Sequence, residues 1–107
     1  MAPSQLEIKI RSLQRLLKEE KYYQQELKDQ KNHVDEMKAD DSVDPYDLKK
    51  QVEVLQDTER LLPALYEKIG QFKEDLARFV ETYNGTEDLK AVDTTLKEAG
   101  DLLSKSS

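Results

Sequence analysis

The chain of 107 residues contains no cysteine and no tryptophan, and it has only one histidine, three glycines and three prolines. Without cysteine there is no disulfide framework, no thiolate metal site and no thiol nucleophile. No phosphate-cradling glycine loop, nucleophile elbow or metal-ligand spacing occurs. The acidic residues are scattered along the chain rather than paired for acid–base catalysis. We therefore expect no catalytic residues, no cofactor and no metal centre, and the protein is not expected to be an enzyme.

Long apolar runs are also missing. Nowhere do about 18 apolar residues follow one another, as a membrane-spanning helix requires. Residues 1–5 lack the apolar run of a signal peptide. The net charge of −6 argues against phosphate backbones and anionic lipid surfaces as partners. We expect a cytosolic or nuclear protein that binds neither nucleic acid nor membrane.

What the chain does have is an apolar repeat spaced alternately three and four residues, which is the period of a helical seam. The repeat occupies residues 6–37 and 48–83, then resets and continues over residues 89–103. No segment alternates by two, as a strand would. The pattern predicts an all-α fold, an antiparallel three-helix bundle with two long helices and one shorter C-terminal helix. We expect residues 1–107 to form a single domain.

Capping residues set the expected ends of the helices, at about 4–40, 45–84 and 86–104. Pro63 lies inside the second helix, where it removes one backbone donor, and we expect one helix bent at that residue. The signals for the ends are Ser4 with Glu7 in capping-box spacing, Asp44 before Pro45, the stop at Asn84 and Gly85, and Thr86 as the last cap.

The three expected helices differ in length. At 1.5 Å per residue the third helix reaches roughly 27 Å, whereas the first two reach roughly 50 to 60 Å. The end of the hairpin near residues 40–45 should therefore consist of two helices alone. It nevertheless carries many apolar residues, so we expect a partner or a second copy of the chain to cover it. These residues are Leu27, Val34, Met37, Leu48, Val52 and Leu55, with Tyr46 and Val54 beside them.

Some residues interrupt or flank the apolar stripe. Polar residues at stripe positions either fix the pairing of the helices or extend from the edge of a narrow bundle, and Glu20 is the best candidate for a specific role. The polar positions are Lys9, Glu20, Gln30, Gln51 and Thr58. Tyr23, Phe72, Phe79 and Tyr83 lie on the stripe and are expected in the core, whereas Tyr22, Tyr46 and Tyr66 lie off it and are possible contact anchors.

Several short motifs of the two long helices have a familiar sequence. They are residues 46–51 (YDLKKQ), 60–63 (RLLP), 65–69 (LYEKI) and 72–76 (FKEDL) of the second helix, and residues 22–30 (YYQQELKDQ) of the first. In these motifs the chain resembles the tubulin-binding cofactor A family, and in particular its budding-yeast members. The resemblance covers nearly the whole chain and weakens after Asp88.

The resemblance implies a small three-helix protein that binds free β-tubulin released from the cytosolic chaperonin, ahead of assembly with α-tubulin. Binding would use helix faces, no nucleotide would be consumed, and other tubulin-folding cofactors would be indirect partners. The location implied is cytoplasmic and cytoskeleton-associated. We expect the contacts around the matched motif of the second helix, at Tyr46, Lys49, Lys50, Glu53, Glu59, Arg60 and Lys68.

A structural role is the alternative. The apolar pattern alone is equally typical of a helical hairpin that forms a homodimer and acts as a scaffold or tether with no chaperone activity. The two hypotheses differ in what covers the apolar end of the hairpin, which is a second copy of the chain in one and β-tubulin in the other.

Overall fold

The structure is a computed structural model and describes residues 4–83, 85 and 89–106. Helix α1 spans Gln5–Ala39, α2 spans Pro45–Glu81 and α3 spans Lys90–Ser106. No strand is present in these described ranges. The predicted all-α fold of two long helices and one shorter C-terminal helix is confirmed.

The chain divides into two compact units. Unit 1 combines Met1–Glu19 with Leu65–Ser107, and unit 2 is Glu20–Ala64. Unit 1 therefore contains the first part of α1, the last part of α2 and all of α3, whereas unit 2 contains the remaining parts of α1 and α2 and the turn that joins them. That residues 1–107 behave as one domain stays a prediction.

Unit 1 has a core to which all three helices contribute. The side chains of Leu13, Ile69, Leu76, Val92 and Ala99 are 0% exposed. Leu13 comes from α1, the next two from α2 and the last two from α3. Full burial of a large aliphatic side chain contributes roughly 1.5 to 3 kcal/mol, so these residues are the main source of stability in unit 1.

The core of unit 2 is smaller, because only two helices contribute to it. Its buried apolar side chains are Leu27, Val34 and Leu62, whereas unit 1 has ten such side chains. The other apolar residues expected at this end of the hairpin, Met37, Leu48, Val52 and Leu55, are only half-buried. Unit 2 thus retains partly open apolar surface, as its two-helix composition requires.

Two of the polar residues on the apolar stripe are buried in unit 2. Glu20 is 4% exposed and Thr58 is 7% exposed. The Thr58 hydroxyl donates to the Val54 carbonyl at 3.2 Å, so this buried polar group is satisfied within its own helix. In unit 1, Lys9 is 25% exposed and its Nζ lies 2.6 Å from Asp75 Oδ2 and 5.3 Å from the centre of the Phe79 ring.

The aromatic residues predicted in the core are placed differently by the structure. Tyr23, Phe72, Phe79 and Tyr83 are all half-buried. They occupy the edge of the seam, where a large ring covers the aliphatic core and keeps one side in contact with water or with a cation such as Lys9. These four residues, which were expected in the core, are therefore only partly buried at its edge.

Helix α2 runs without interruption through Pro63. The prediction of one helix rather than two at this proline is confirmed. The apolar stripe keeps its phase across the proline, with Leu62 and Leu65 both buried, so packing on both sides holds the segment helical despite the missing donor.

The end of α2 differs from the expected glycine stop. No described glycine has a positive φ, so Gly85 does not form the left-handed cap. Instead the last turn tightens, with the amides of Thr82 and Tyr83 donating to the carbonyls of Phe79 and Val80 at 3.3 and 3.2 Å. Asn84 and the predicted cap Thr86 lie outside the described residues.

Replacing a core residue of unit 1 should reduce stability far more than replacing an exposed residue of the same helix. We expect Leu13→Ala to lower the free energy of unfolding by about 2 to 5 kcal/mol through lost burial and the cavity left behind. Ile8, which is 48% exposed, is the control, and Ile8→Ala should cost less than about 1 kcal/mol. Urea unfolding followed by circular dichroism measures both, and equal losses would contradict the assigned core.

Candidate interaction surface

The first turn of α2 is fixed by its capping residue. Asp44 Oδ1 accepts a hydrogen bond from the Tyr46 amide at 2.8 Å, and the Asp44 carbonyl accepts from the Leu48 amide at 3.1 Å. Pro45 takes the first helical position, where its lack of an N–H has no consequence. The cap therefore holds Tyr46 at a defined position at the start of the predicted contact surface.

The turn before this cap is held by a second aspartate. Asp40 Oδ1 accepts from the Ser42 hydroxyl at 2.6 Å and from the Ser42 amide at 2.9 Å. These hydrogen bonds favour the ionised carboxylate, the hydroxyl more than the amide, and they lower the pKa of Asp40 below its usual range. The chain reversal is thus stabilised by an ionised Asp40.

The seven predicted contact residues are all exposed, but they are not all together. Six lie in unit 2, and Lys68 lies in unit 1. Spacings of three, four and seven residues place five of them on one face of α2, and Glu59 lies just outside this face, on the side of Lys49. The five are Tyr46, Lys49, Lys50, Glu53 and Arg60.

The charges on this face are only partly neutralised within the protein. Lys50 Nζ lies 5.4 Å from the centre of the Tyr46 ring, and Arg60 Nη1 lies 3.4 Å from Asp57 Oδ1. Lys49 and Glu53 have no ion pair in the part of the chain that the structure describes. These two charges are therefore available to a partner.

Exposed apolar residues accompany the charges. The fractional exposure is 62% for Tyr46, 46% for Val54 and 50% for Leu61. They follow one another along α2 at intervals of eight and seven residues, so they lie on one side of the helix. From the sequence, Val54 was placed beside the apolar end that a partner should cover, but neither Val54 nor Leu61 was named among the seven contact residues. Their heptad-like spacing outside the main stripe was the signal that could have identified them.

Lys68 belongs to a separate groove in unit 1. This groove has a volume of about 310 Å³ and is lined by Ser12, Arg15, Leu16, Glu19, Lys68 and Phe72. A neighbouring groove of about 400 Å³ shares Ser12 and Phe72 and is lined further by Ile8, Lys9, Gln71 and Asp75. Both are open and of mixed polarity, which suits contact with another protein better than enclosure of a small molecule.

Comparison with known proteins places this arrangement in a family. The family model for tubulin binding cofactor A matches residues 1–103. The chain belongs to the tubulin binding cofactor A family. The resemblance noted in the motifs of α1 and α2 is thereby confirmed over almost the full length.

Individual members of the tubulin binding cofactor A family agree with this assignment. The tubulin-specific chaperone A of Saccharomyces cerevisiae is 63% identical over 103 residues, which cover 96% of this chain and 97% of the relative. The human tubulin-specific chaperone A is 33% identical over 84 residues, covering 78% and 77%. The solved structure of RBL2P, a β-tubulin binding post-chaperonin cofactor, has a TM-score of 0.88 at 61% identity and covers 94% of this chain and 99% of its own.

Two further observations concern what this cofactor A family member presents to its surroundings. None of the described helices is both long enough and apolar enough to cross a membrane. Within the described ranges, no three His, Asp or Glu side chains are grouped so that they could hold a metal ion. The surface features left to explain are the exposed charged and apolar faces of the helices.

The hydrogen bonds from Ser42 to Asp40 predict that the stability of the protein depends on pH. Replacing Ser42 by Ala removes the stronger of the two hydrogen bonds, so the pKa of Asp40 should rise toward its usual value while the amide bond keeps it slightly low. Because the folded pKa is depressed, the stabilisation by Asp40 is present above the unfolded pKa and is lost as pH falls through the folded pKa.

Carboxyl titration by NMR of the wild type and the Ser42→Ala variant measures this shift directly. The stability of the two proteins should differ at neutral pH and converge in acid. An unchanged Asp40 titration curve would show that the hydroxyl does not act on this carboxylate.

Proposed function

We propose that this protein binds free β-tubulin as a post-chaperonin cofactor and holds the subunit until it is assembled with α-tubulin. The observation that carries the proposal is the similarity to RBL2P, a β-tubulin binding post-chaperonin cofactor, at 61% identity and a TM-score of 0.88 over 94% of this chain.

The mechanism proposed is stoichiometric sequestration. A protein that binds the folded-like subunit but not its unfolded or aggregated forms stabilises that subunit by mass action. No nucleotide or catalytic group is required. The long helices of the cofactor supply a surface that is already ordered, so little conformational entropy is lost when the complex forms.

The contact residues proposed are those predicted from the sequence. Tyr46 and Arg60 are of the types that most often dominate binding energy, and both are exposed on α2. Lys49 and Glu53, which have no ion pair in the described ranges, would provide specificity by charge complementarity. Lys50, Glu59 and Lys68 complete the proposed set. We place the complex in the cytoplasm, where tubulin subunits are folded and assembled.

Capture of separated tubulin subunits tests the proposal. The purified protein is mixed with urea-released tubulin, the denaturant is diluted, and complexes are resolved by native electrophoresis with separate detection of α and β chains. We expect a complex that contains this protein and β-tubulin but not α-tubulin. Binding to neither subunit, or equal binding to both, would overturn the proposal.

Reversing two charges of α2 should weaken this complex. We expect Lys49→Glu with Lys50→Glu to reduce the affinity for β-tubulin roughly tenfold, because favourable pairs become repulsive. Helical content should not change, since both side chains are exposed. The control is Lys18→Glu with Lys97→Glu, which makes the same change in net charge at exposed positions of unit 1. Unchanged affinity in the α2 variant would remove both lysines from the contact set.

A further inference from the structure

Heptad positions b and e of α1 carry different kinds of residue in the two units. With Leu6, Leu13, Glu20, Leu27 and Val34 assigned to position a, positions b and e lie together on one side of the helix. In unit 1 the e positions hold two buried residues, Ile10 at 8% and Leu17 at 5% exposure. Position b holds Gln14, whose Nε2 donates to Thr95 Oγ1 of α3 at 3.3 Å.

In unit 2, lysines occupy four of the six b and e positions of α1, and the other two hold Gln24 and Asp35. Lys21 and Lys28 are at position b, and Lys31 and Lys38 are at position e. All four side chains are exposed, and none has an ion pair in the described part of the chain. We refer to these four residues as the lysine edge.

The acidic residues of α1 in unit 2 lie mainly on the other side of the helix. Glu26 is at position g, and Asp29 and Glu36 are at position c. Two of these carboxylates accept hydrogen bonds from glutamines of their own helix, at 3.5 Å from Gln30 and 3.0 Å from Gln25. The charges of α1 are therefore segregated: cations dominate the b and e side and anions the c and g side.

The α2 segment of unit 2 adds one charge of each sign to this side. With Leu48, Leu55 and Leu62 of α2 assigned to position a, the b and e positions of α2 in unit 2 include Lys49 and Glu59. In an antiparallel helix pair the e positions of both helices flank the same edge. The lysine edge and these two residues together present five lysines against two carboxylates, Asp35 and Glu59, within a unit of seven basic and twelve acidic residues and a net charge of −5.

A groove with one apolar residue lies beside the central lysines of this edge. A groove of about 370 Å³ on α1 of unit 2 is lined by Gln24, Leu27, Lys28, Lys31, Asn32 and Asp35. Leu27 is the apolar member of this lining and is 8% exposed. The groove therefore offers a small apolar contact flanked by the two central lysines, which is the arrangement expected for a partner that presents both acidic and apolar side chains.

We propose that the lysine edge docks an acidic amphipathic segment of the tubulin subunit, with carboxylates of that segment on Lys21, Lys28, Lys31 and Lys38 and an apolar side chain in the groove at Leu27. This inference rests on the proposed function and extends the contact surface from α2 to α1. Between residues 21 and 38 the edge is roughly 26 Å long, which matches a helical segment of about 17 residues.

Charge reversal at the centre of the edge tests the inference. We expect Lys28→Glu with Lys31→Glu to weaken binding to refolded β-tubulin by about tenfold or more, and Lys28→Arg with Lys31→Arg to retain binding. Wild-type affinity should also fall as salt is raised, and this dependence should be smaller in the neutral variant Lys28→Gln with Lys31→Gln. Quantitative native electrophoresis at low and high salt provides the dissociation constants, and circular dichroism confirms that each variant is folded.

Two controls separate a specific edge from a general effect of charge. Lys18→Glu with Lys97→Glu makes the same change in net charge outside unit 2 and should leave the affinity unchanged. Asp29→Lys with Glu36→Lys reverses the opposite side of α1 and should not weaken binding. The second control also tests whether the acidic side, rather than the lysine edge, faces the partner.

Each outcome decides the inference. The inference is supported if the variant Lys28→Glu with Lys31→Glu binds β-tubulin weakly while both control variants keep an affinity near that of the wild type. Equal weakening in the Lys18 and Lys97 control shows a general charge effect and overturns it, as does weakening confined to the Asp29 and Glu36 variant. If the variant Lys28→Glu with Lys31→Glu binds β-tubulin as tightly as the wild type, the inference is overturned and the proposed function is not. If the wild type captures no β-tubulin, the proposed function is overturned, and the inference with it.

Discussion

The length of α3 is the constraint on which the other features of this protein depend. This helix has 17 residues, whereas α1 has 35 and α2 has 37. A helix stabilises its partners only over the length along which it packs, so a third layer is available to unit 1 and not to unit 2. The ten buried apolar residues of unit 1 and the three of unit 2 follow from this difference. Most of the stability is therefore expected in unit 1, which leaves the surface of unit 2 available for binding.

The surface of unit 2 has the features of a surface that binds another protein. A two-helix segment cannot bury wide apolar faces, and residues such as Leu48 and Leu55 remain half-buried. Exposed apolar residues on α2, including Tyr46 and Leu61, add to this area. Such a surface would favour aggregation unless charges surrounded it, and the charge-rich composition provides them. Recognition can then combine apolar contact with charge complementarity.

The sequence predicted the helices because their signals are local, and it failed where the outcome depends on packing. The spacing of the apolar stripe and the capping signal at Asp44 and Pro45 are both local, and α2 begins at Pro45 as that signal predicts. Gly85 does not adopt a positive φ, and Phe79 is only half-buried. Both outcomes depend on how the surrounding segments of this protein pack, which local sequence does not specify. Leu61 was missed as a contact residue because α2 has apolar residues on two sides, and the single apolar stripe accounts for only one of these sides.

The distribution of charge also reconciles an acidic protein with an acidic partner segment. A net charge of −6 would repel such a segment at long range in low salt. At physiological ionic strength, however, screening acts over about 8 Å, so a docked segment responds mainly to the charges directly beneath it. On α1 of unit 2 those charges are lysines on one side and carboxylates on the other. A partner of either sign therefore meets an attractive side and a repulsive side, and the orientation in which it docks is set by this segregation rather than by the net charge.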